Sequence, residues 1–233
     1  MYDAPPPAPS DLMDTPLSDN WQAATRVQLA HSCHNLNMLI LASASPRRCE
    51  LLTQAGFSFQ VHPAHIPEDP LADEDPIDYV TRLAREKAQA VFAQLSATSD
   101  NASKLAVLGA DTTVTLDAQI LGKPEDAADA ARMLRLLSGR DHRVITGVAL
   151  TTAEHIEAVA EVTTVSFLTL SDEEIAAYIA TGEPMDKAGA YAIQGRAARW
   201  IPRIEGCYFN VVGLPLARVA EMLKCRRIYP ELL

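Results

Sequence analysis

The sequence predicts a single α/β domain built on a mixed twisted sheet flanked by helices. Three observations point there. Continuous apolar runs at Met38 to Ala42 and Leu105 to Ala110 read as fully buried strands. Stripes at helical spacing alternate with them, as in Ile77, Val80, Ala84, Ala88, Val91 and Leu95. Two further strand-like segments, Val144 to Thr151 and Ile156 to Leu168, follow one another as a pair. Strands and helices interleaved in this order form one mixed sheet rather than a bundle or a sandwich.

Taken along the chain, residues 1 to 36 are an extension, rich in Pro, Asp and Ser up to about residue 20, that reads as disordered. Trp21 to Asn35 is the one stretch of it that could form a short helix. The domain runs from residue 37 to residue 233. After the first strand, Arg47 to Ala55 reads as a helix closed by Gly56. Phe57 to Val61 alternates like a short strand, and His62 to Asp75 is a Pro-rich acidic loop. Pro76 opens a long helix that reaches Ser96. Thr98 to Lys104 is a polar loop before the second buried strand. Asp126 to Leu137 is an amphipathic helix ending at Ser138-Gly139, and Ser171 with Glu174 forms a capping box for a helix over Asp172 to Thr181. Ala190 to Ile193 and Phe209 to Val212 are read as further strands, and Pro215 starts the last helix.

The 233 residues carry a formal charge of −10, which argues against a general attraction to nucleic acid or anionic membrane. No apolar run approaches the length of a membrane span. Leu36 to Ala44 has some signal-peptide character, but no basic segment precedes it. Cys33, Cys49, Cys207 and Cys225 are scattered without a CxxC pair, which suits a reducing cytoplasm. His31, Cys33 and His34, with His62 and His65, lack the paired spacing of a zinc site.

Chemistry concentrates in a few places. In Leu-Ala-Ser-Ala-Ser-Pro-Arg-Arg (41–48) a strand ends and a helix begins, with Pro46 in its first turn. The free N–H groups and dipole there favour an anion. Arg47 and Arg48 add fork-shaped donors for phosphate oxygens, and Ser43 and Ser45 add hydroxyls. The pattern equally fits Ser45 as a plain cap with both arginines solvated. Asp111, at the end of the second buried strand, could hold a cation or orient water, or could cap a turn. Lys87 falls on the inward face of its helix, where it either snorkels outward or meets an anion in a cleft. Lys123, in Leu-Gly-Lys-Pro (121–124), is a phosphate contact or a surface turn. Glu68 stands in a charge run that by itself reads as solvated. Gln194, between Ile193 and Gly195, is read as a buried amide in need of partners. Neither GxxxxGK[ST] nor GxGxxG occurs.

The segments LILASASPRRCELL, EKA, LGADTTV, LGKP, LSGRDHRVITGVAL, DKAGAYAIQG and VVGLPL, in that order from about Asn37 to Lys224, resemble the Maf family of nucleoside triphosphate pyrophosphatases. The resemblance implies a cytoplasmic enzyme, often dimeric, with two lobes around a central cleft similar to the inosine triphosphatase architecture. Its members cleave between the α- and β-phosphates with Mg²⁺ or Mn²⁺. It assigns Asp111 as proton acceptor and Ser43, Arg48, Glu68, Lys87 and Lys123 as polar site residues, with Glu68 and Asp111 toward the metal. Glu68 departs from the family's commoner "DE" pairing.

Arg47, Thr112 and Gln194 resemble the dTTP/UTP type. The 7-methyl-GTP type, which carries Trp, Gln and Glu there, is the alternative. An amide that donates and accepts also suits a pyrimidine N–H flanked by carbonyls. A non-catalytic regulator of cell division is the other reading; the retention of Arg48, Lys87, Asp111 and Lys123 speaks against it.

Overall fold

The computed structural model describes residues 38–98, 101–117 and 119–231. The N-terminal extension, the stretch Trp21 to Asn35 that could form a helix, and the His31–Cys33–His34 group lie outside the described residues. The elements are β1 (Met38–Leu41), α1 (Pro46–Gln54), β2 (Gln60–Val61), α2 (Pro76–Ser96), β3 (Leu105–Leu116), β4 (Gln119–Leu121), α3 (Ala127–Leu137), β5 (Asp141–Thr152), β6 (Ile156–Ser166), α4 (Asp172–Ile179), β7 (Arg203–Glu205), α5 (Tyr208–Val212) and α6 (Leu216–Cys225). Seven strands form one sheet in the order β2-β1-β3-β5-β6-β7, with β4 paired to β3. The β2-β1-β3 ladders are parallel and the rest antiparallel, so the sheet is mixed as the sequence predicts.

Three expectations need correction. Asp111 is not at a strand end: β3 continues through Thr112–Leu116, because its threonines are as β-prone as valine and pair with β5 as far as Thr115↔Arg143. Residues 190–193 are not a strand. Gly189, at φ 68, turns the chain there, and a 3-10 turn over Ala188–Ala190 leads into an irregular segment. Tyr208–Val212 is a helix despite its β-forming residues. Buried Asn210 donates to Val144 O and Thr163 Oγ1, 2.9 Å each, and fixes this turn against the sheet. The capping box at Ser171 and Glu174 is present as expected.

The long strands β3 and β5 connect two apolar regions. At one end Leu41, Leu52, Leu108, Val148, Val219 and Leu223 pack beneath α1 and α6, and on the opposite face Ile40, Val107 and Ala149 pack against Ala84 and Ala88 of α2. At the other end Val114, Leu116 and Val144 pack with Leu134 of α3, Tyr178 of α4 and Trp200. Residues 111–113 of β3 fall at the junction, which places the cleft between two regions of core.

Helix α2 crosses the sheet unusually closely. A Cβ on Gly109 would lie 2.2 Å from Ala84 O, and one on Gly147 would lie 2.2 Å from Val80 O. Glycine at both positions lets the helix backbone rest directly on the strands. That approach sets the height of Lys87 above β3. No helix among the described residues is long and apolar enough to cross a membrane.

Candidate active site

Strand β1 stops at Leu41, but its neighbour β3 runs on for several residues past their last pairing, Leu41↔Leu108. The β1–α1 turn therefore lies alongside Asp111 and Thr112, on the flank of β3 that β1 leaves unpaired. The crevice beyond the end of a parallel strand is where α/β sheets bind ligands. Here it is a cleft of about 570 Å³ lined by the β1–α1 turn, Glu68, Lys87, Asp111, the Gly122-Lys123 loop, Asp186 to Gln194 and Gly213.

The two arginines of the turn behave differently. Arg48 donates from Nε to Gly213 O (2.9 Å), from NH1 to Ala110 O (2.9 Å) and Ser43 Oγ (3.1 Å), and from NH2 to Thr112 Oγ1 (3.0 Å). Four of the five guanidinium N–H groups are engaged by the protein. This excludes the solvated reading for Arg48. Burial lowers its pKa, while the nearby Asp111 acts in the opposite direction. Arg47 is 29% exposed and faces Asp186 at 3.9 Å. Ser45 occupies the N-cap of α1 but makes no side-chain cap bond; its N–H instead donates to Ser43 Oγ at 3.2 Å.

The hydroxyls behind Arg48 form a line with a defined sense. Thr146 donates to Asn210 O at 3.0 Å, so the 2.9 Å contact between Thr112 and Thr146 uses the Thr112 proton. Thr112 Oγ1 is then left to accept from Arg48. The Thr112 side chain is thus bound into the protein.

Lys87 does not snorkel. It is 7% exposed, and its Nζ lies 2.6 Å from Asp111 Oδ1 and 2.7 Å from Glu68 Oε1. Glu68 is held in place by its own loop. Tyr79 of α2 donates to Glu68 O at 2.8 Å, and Arg82 grips Glu74 at 2.6 Å and Asp69 O at 3.2 Å. The acidic run is therefore fastened to α2 rather than merely solvated. Burial raises the Asp111 pKa from its ordinary value, against the pull of Lys87 and Arg48. For Glu68, burial also pushes upward, but the Lys87 bond and the charges of Lys87, Lys123 and Arg48 outweigh it and hold the carboxyl below its ordinary value. Environments that drive two neighbouring carboxylates apart suit one as base and the other as a fixed anion.

Lys123 is exposed at the rim. Its loop is tied to the facing loop by Gly189 N–H donating to Gly122 O at 3.0 Å. Gln194 lines the cleft but is exposed, not buried. A turn closed by Gly195 N–H to Ala192 O replaces the strand that would have hidden it. Asp186 and Lys187 also line the cleft, joined to one another and, through Asp186, to Arg47. Neither residue stands out in the sequence beyond its motif; adjacent opposite charges beside a glycine-rich turn are the available signal. The lining holds five cations (Arg47, Arg48, Lys87, Lys123, Lys187) against three carboxylates (Glu68, Asp111, Asp186), so its net charge is +2 within a chain of −10. Such a cleft attracts a compact polyanion.

The sequence model of the family described as "Maf-like protein" matches residues 38–226. The chain is 58% identical over 193 residues to the dTTP/UTP pyrophosphatase of Koribacter versatilis, covering 82% of this chain and 96% of that protein. It is 54% identical to the protein of the same name from Geobacter sulfurreducens (80% and 95% covered) and 52% identical to that of Salmonella typhimurium (81% and 92% covered).

Proposed function

The chain belongs to the Maf family, and on that premise we propose that it hydrolyses dTTP and UTP to the nucleoside monophosphate and pyrophosphate. The observation that carries the reading is the cationic cleft with one buried carboxylate, Asp111, at its floor. Water attacking the α-phosphorus develops charge on the phosphate oxygens and on the departing pyrophosphate, so catalysis needs positioned cations and a proton acceptor.

Asp111 is that acceptor. Lys87 holds its Oδ1, the described residues donate no hydrogen bond to Oδ2, and burial makes the carboxylate more basic. Lys123 and Lys187 reach the phosphates with their charges. Arg48 contributes its charge and its one uncommitted N–H, while its other bonds, with Ser43, fix the β1–α1 turn. The base is chosen by Arg47 and Gln194 at the cleft wall. Thr112 acts on that choice through Arg48, because its own hydroxyl is already bound.

Glu68 and Asp111 are the residues that would hold a divalent cation. Among the described residues no group of three or more His, Cys, Asp or Glu side chains could hold a metal, so this donor set suits Mg²⁺ or Mn²⁺ only with phosphate oxygens completing the shell. When bound, the cation would withdraw charge from those oxygens. The free cysteines of the described residues suit a cytoplasmic setting.

A panel of nucleotides with Mg²⁺ or Mn²⁺ tests the reading. dTTP and UTP should exceed 7-methyl-GTP, and equal rates would remove the substrate assignment. Asp111→Asn should abolish turnover while the protein stays folded; substantial residual activity would remove Asp111 from its role.

A further inference from the structure

The two carboxylates suited to a divalent cation already share a cation. The Lys87 ammonium sits 2.7 Å from Glu68 Oε1 and 2.6 Å from Asp111 Oδ1. Its stem rises from the buried face of α2 beside Ala84, Ala88 and Val91, and the closeness of that helix to Gly109 leaves it little room to withdraw. The surrounding cleft is net positive.

From this arrangement we infer that the protein alone does not take up the divalent cation, and that the metal enters with or after the polyphosphate. Lys87 is the cation that the Glu68–Asp111 pair holds until then. The inference rests on the proposed function above and specifies how that site is loaded. A divalent ion of this kind demands about six oxygen ligands and dehydrates reluctantly, so it is usually bound by one or two carboxylates together with substrate phosphates. Each carboxylate here has one oxygen committed to the ammonium. A dication approaching without an anion meets Lys87 and a cleft of its own sign. A bound triphosphate reverses that sign and supplies the missing oxygens. Linkage makes the effect mutual: the factor by which polyphosphate raises metal affinity is the factor by which metal raises polyphosphate affinity.

The test measures Mn²⁺ retained with the full-length protein on ultrafiltration, first alone and then with inorganic tripolyphosphate. Retention without the anion should be weaker by about tenfold or more, the scale of a strong coupling. Lys87→Met should gain Mn²⁺ retention in the absence of tripolyphosphate, because both carboxylates lose their resident cation. Lys87→Gln serves as the second neutral variant, with folding checked by thermal melting. Stoichiometric Mn²⁺ on the wild-type protein, equally tight with and without tripolyphosphate, would overturn the inference. So would folded neutral variants that retain no more Mn²⁺ than wild type. Tripolyphosphate carries no base and nothing is turned over, so the outcome is separate from the nucleotide panel. If dTTP and UTP are not hydrolysed, the proposed function falls; if the free protein binds Mn²⁺ tightly, only the order of loading falls.

Discussion

His142→Phe should flatten the acid side of the stability profile. The His142 imidazole is 2% exposed, its Nε2 is 2.8 Å from Tyr191 Oη, and it packs edge-on against Phe167 at 5.0 Å between centroids. Burial lowers its pKa from the ordinary 6.5 to about 4. Between those values the unfolded chain takes up a proton that the folded chain refuses, so stability falls as the pH drops. The contribution is fully present above pH 6.5 and is lost progressively down to the folded value. A separation of about 2.5 units corresponds to a limit of about 3.4 kcal/mol, of which about 2 kcal/mol disappears between pH 7 and pH 5. Urea denaturation of wild type and His142→Phe at pH 7, 6 and 5 isolates this group from the others that titrate. The variant should begin less stable at pH 7, having lost the Tyr191 hydrogen bond. Its loss from pH 7 to pH 5 should be smaller than that of wild type by about 2 kcal/mol. Parallel profiles would show that His142 accepts a proton in the folded protein and would refute the reasoning.

Three further outcomes follow from the packing around the cleft. Gly109→Ala drives a methyl into the α2 backbone and should cost about 3 kcal/mol, a drop in Tm of roughly 6 to 12 °C, with kcat reduced as Lys87 shifts from Asp111; a Tm within about 2 °C of wild type would contradict the close approach. Thr146→Val keeps the shape but leaves the Thr112 proton only the longer 3.5 Å contact to Gly213 O, for a loss of about 1–3 kcal/mol and reduced activity that Thr146→Ser restores; unchanged activity in the valine variant would remove Thr112 from the support of Arg48. Arg48→Ala should lower both Tm and turnover of every nucleotide, since Gly213 O and Ala110 O lose their donor, whereas Arg47→Ala should leave Tm in place and change the ranking of nucleotides; equal Tm losses in the two variants would argue against this division.

Much of this architecture was readable from local pattern. The apolar runs at 38–41 and 105–110, the long stripe of α2 and the Ser171–Glu174 box each carry their signal within a few residues. Lys87 was legible too, because a charge on an otherwise inward stripe must either escape or find a partner. What was hidden depended on contacts distant in sequence. β3 outran its apolar run because Thr112, Thr113 and Thr115 read as polar while pairing as β-branched residues. The helix at 208–212 is set by Asn210 reaching Val144 and Thr163, 66 and 47 residues away. The difference between Arg47 and Arg48 was invisible locally, because adjacent arginines at a helix start look alike. Partners brought in by the fold separate them: Ala110, Thr112 and Gly213 for Arg48, and Asp186 for Arg47.

The bond from Arg48 to Gly213 joins residues 165 positions apart. A chain emerging from the ribosome at the usual 5–20 residues per second would wait about 8–33 s between making the arginine and making its acceptor. Throughout that interval the chain lacks the carbonyl that anchors Arg48, so the cleft is unfinished. Nascent or truncated chains lacking the segment around Gly213 should therefore be silent toward the cell's nucleotide pool, with competence arriving as a late event of synthesis rather than growing with chain length.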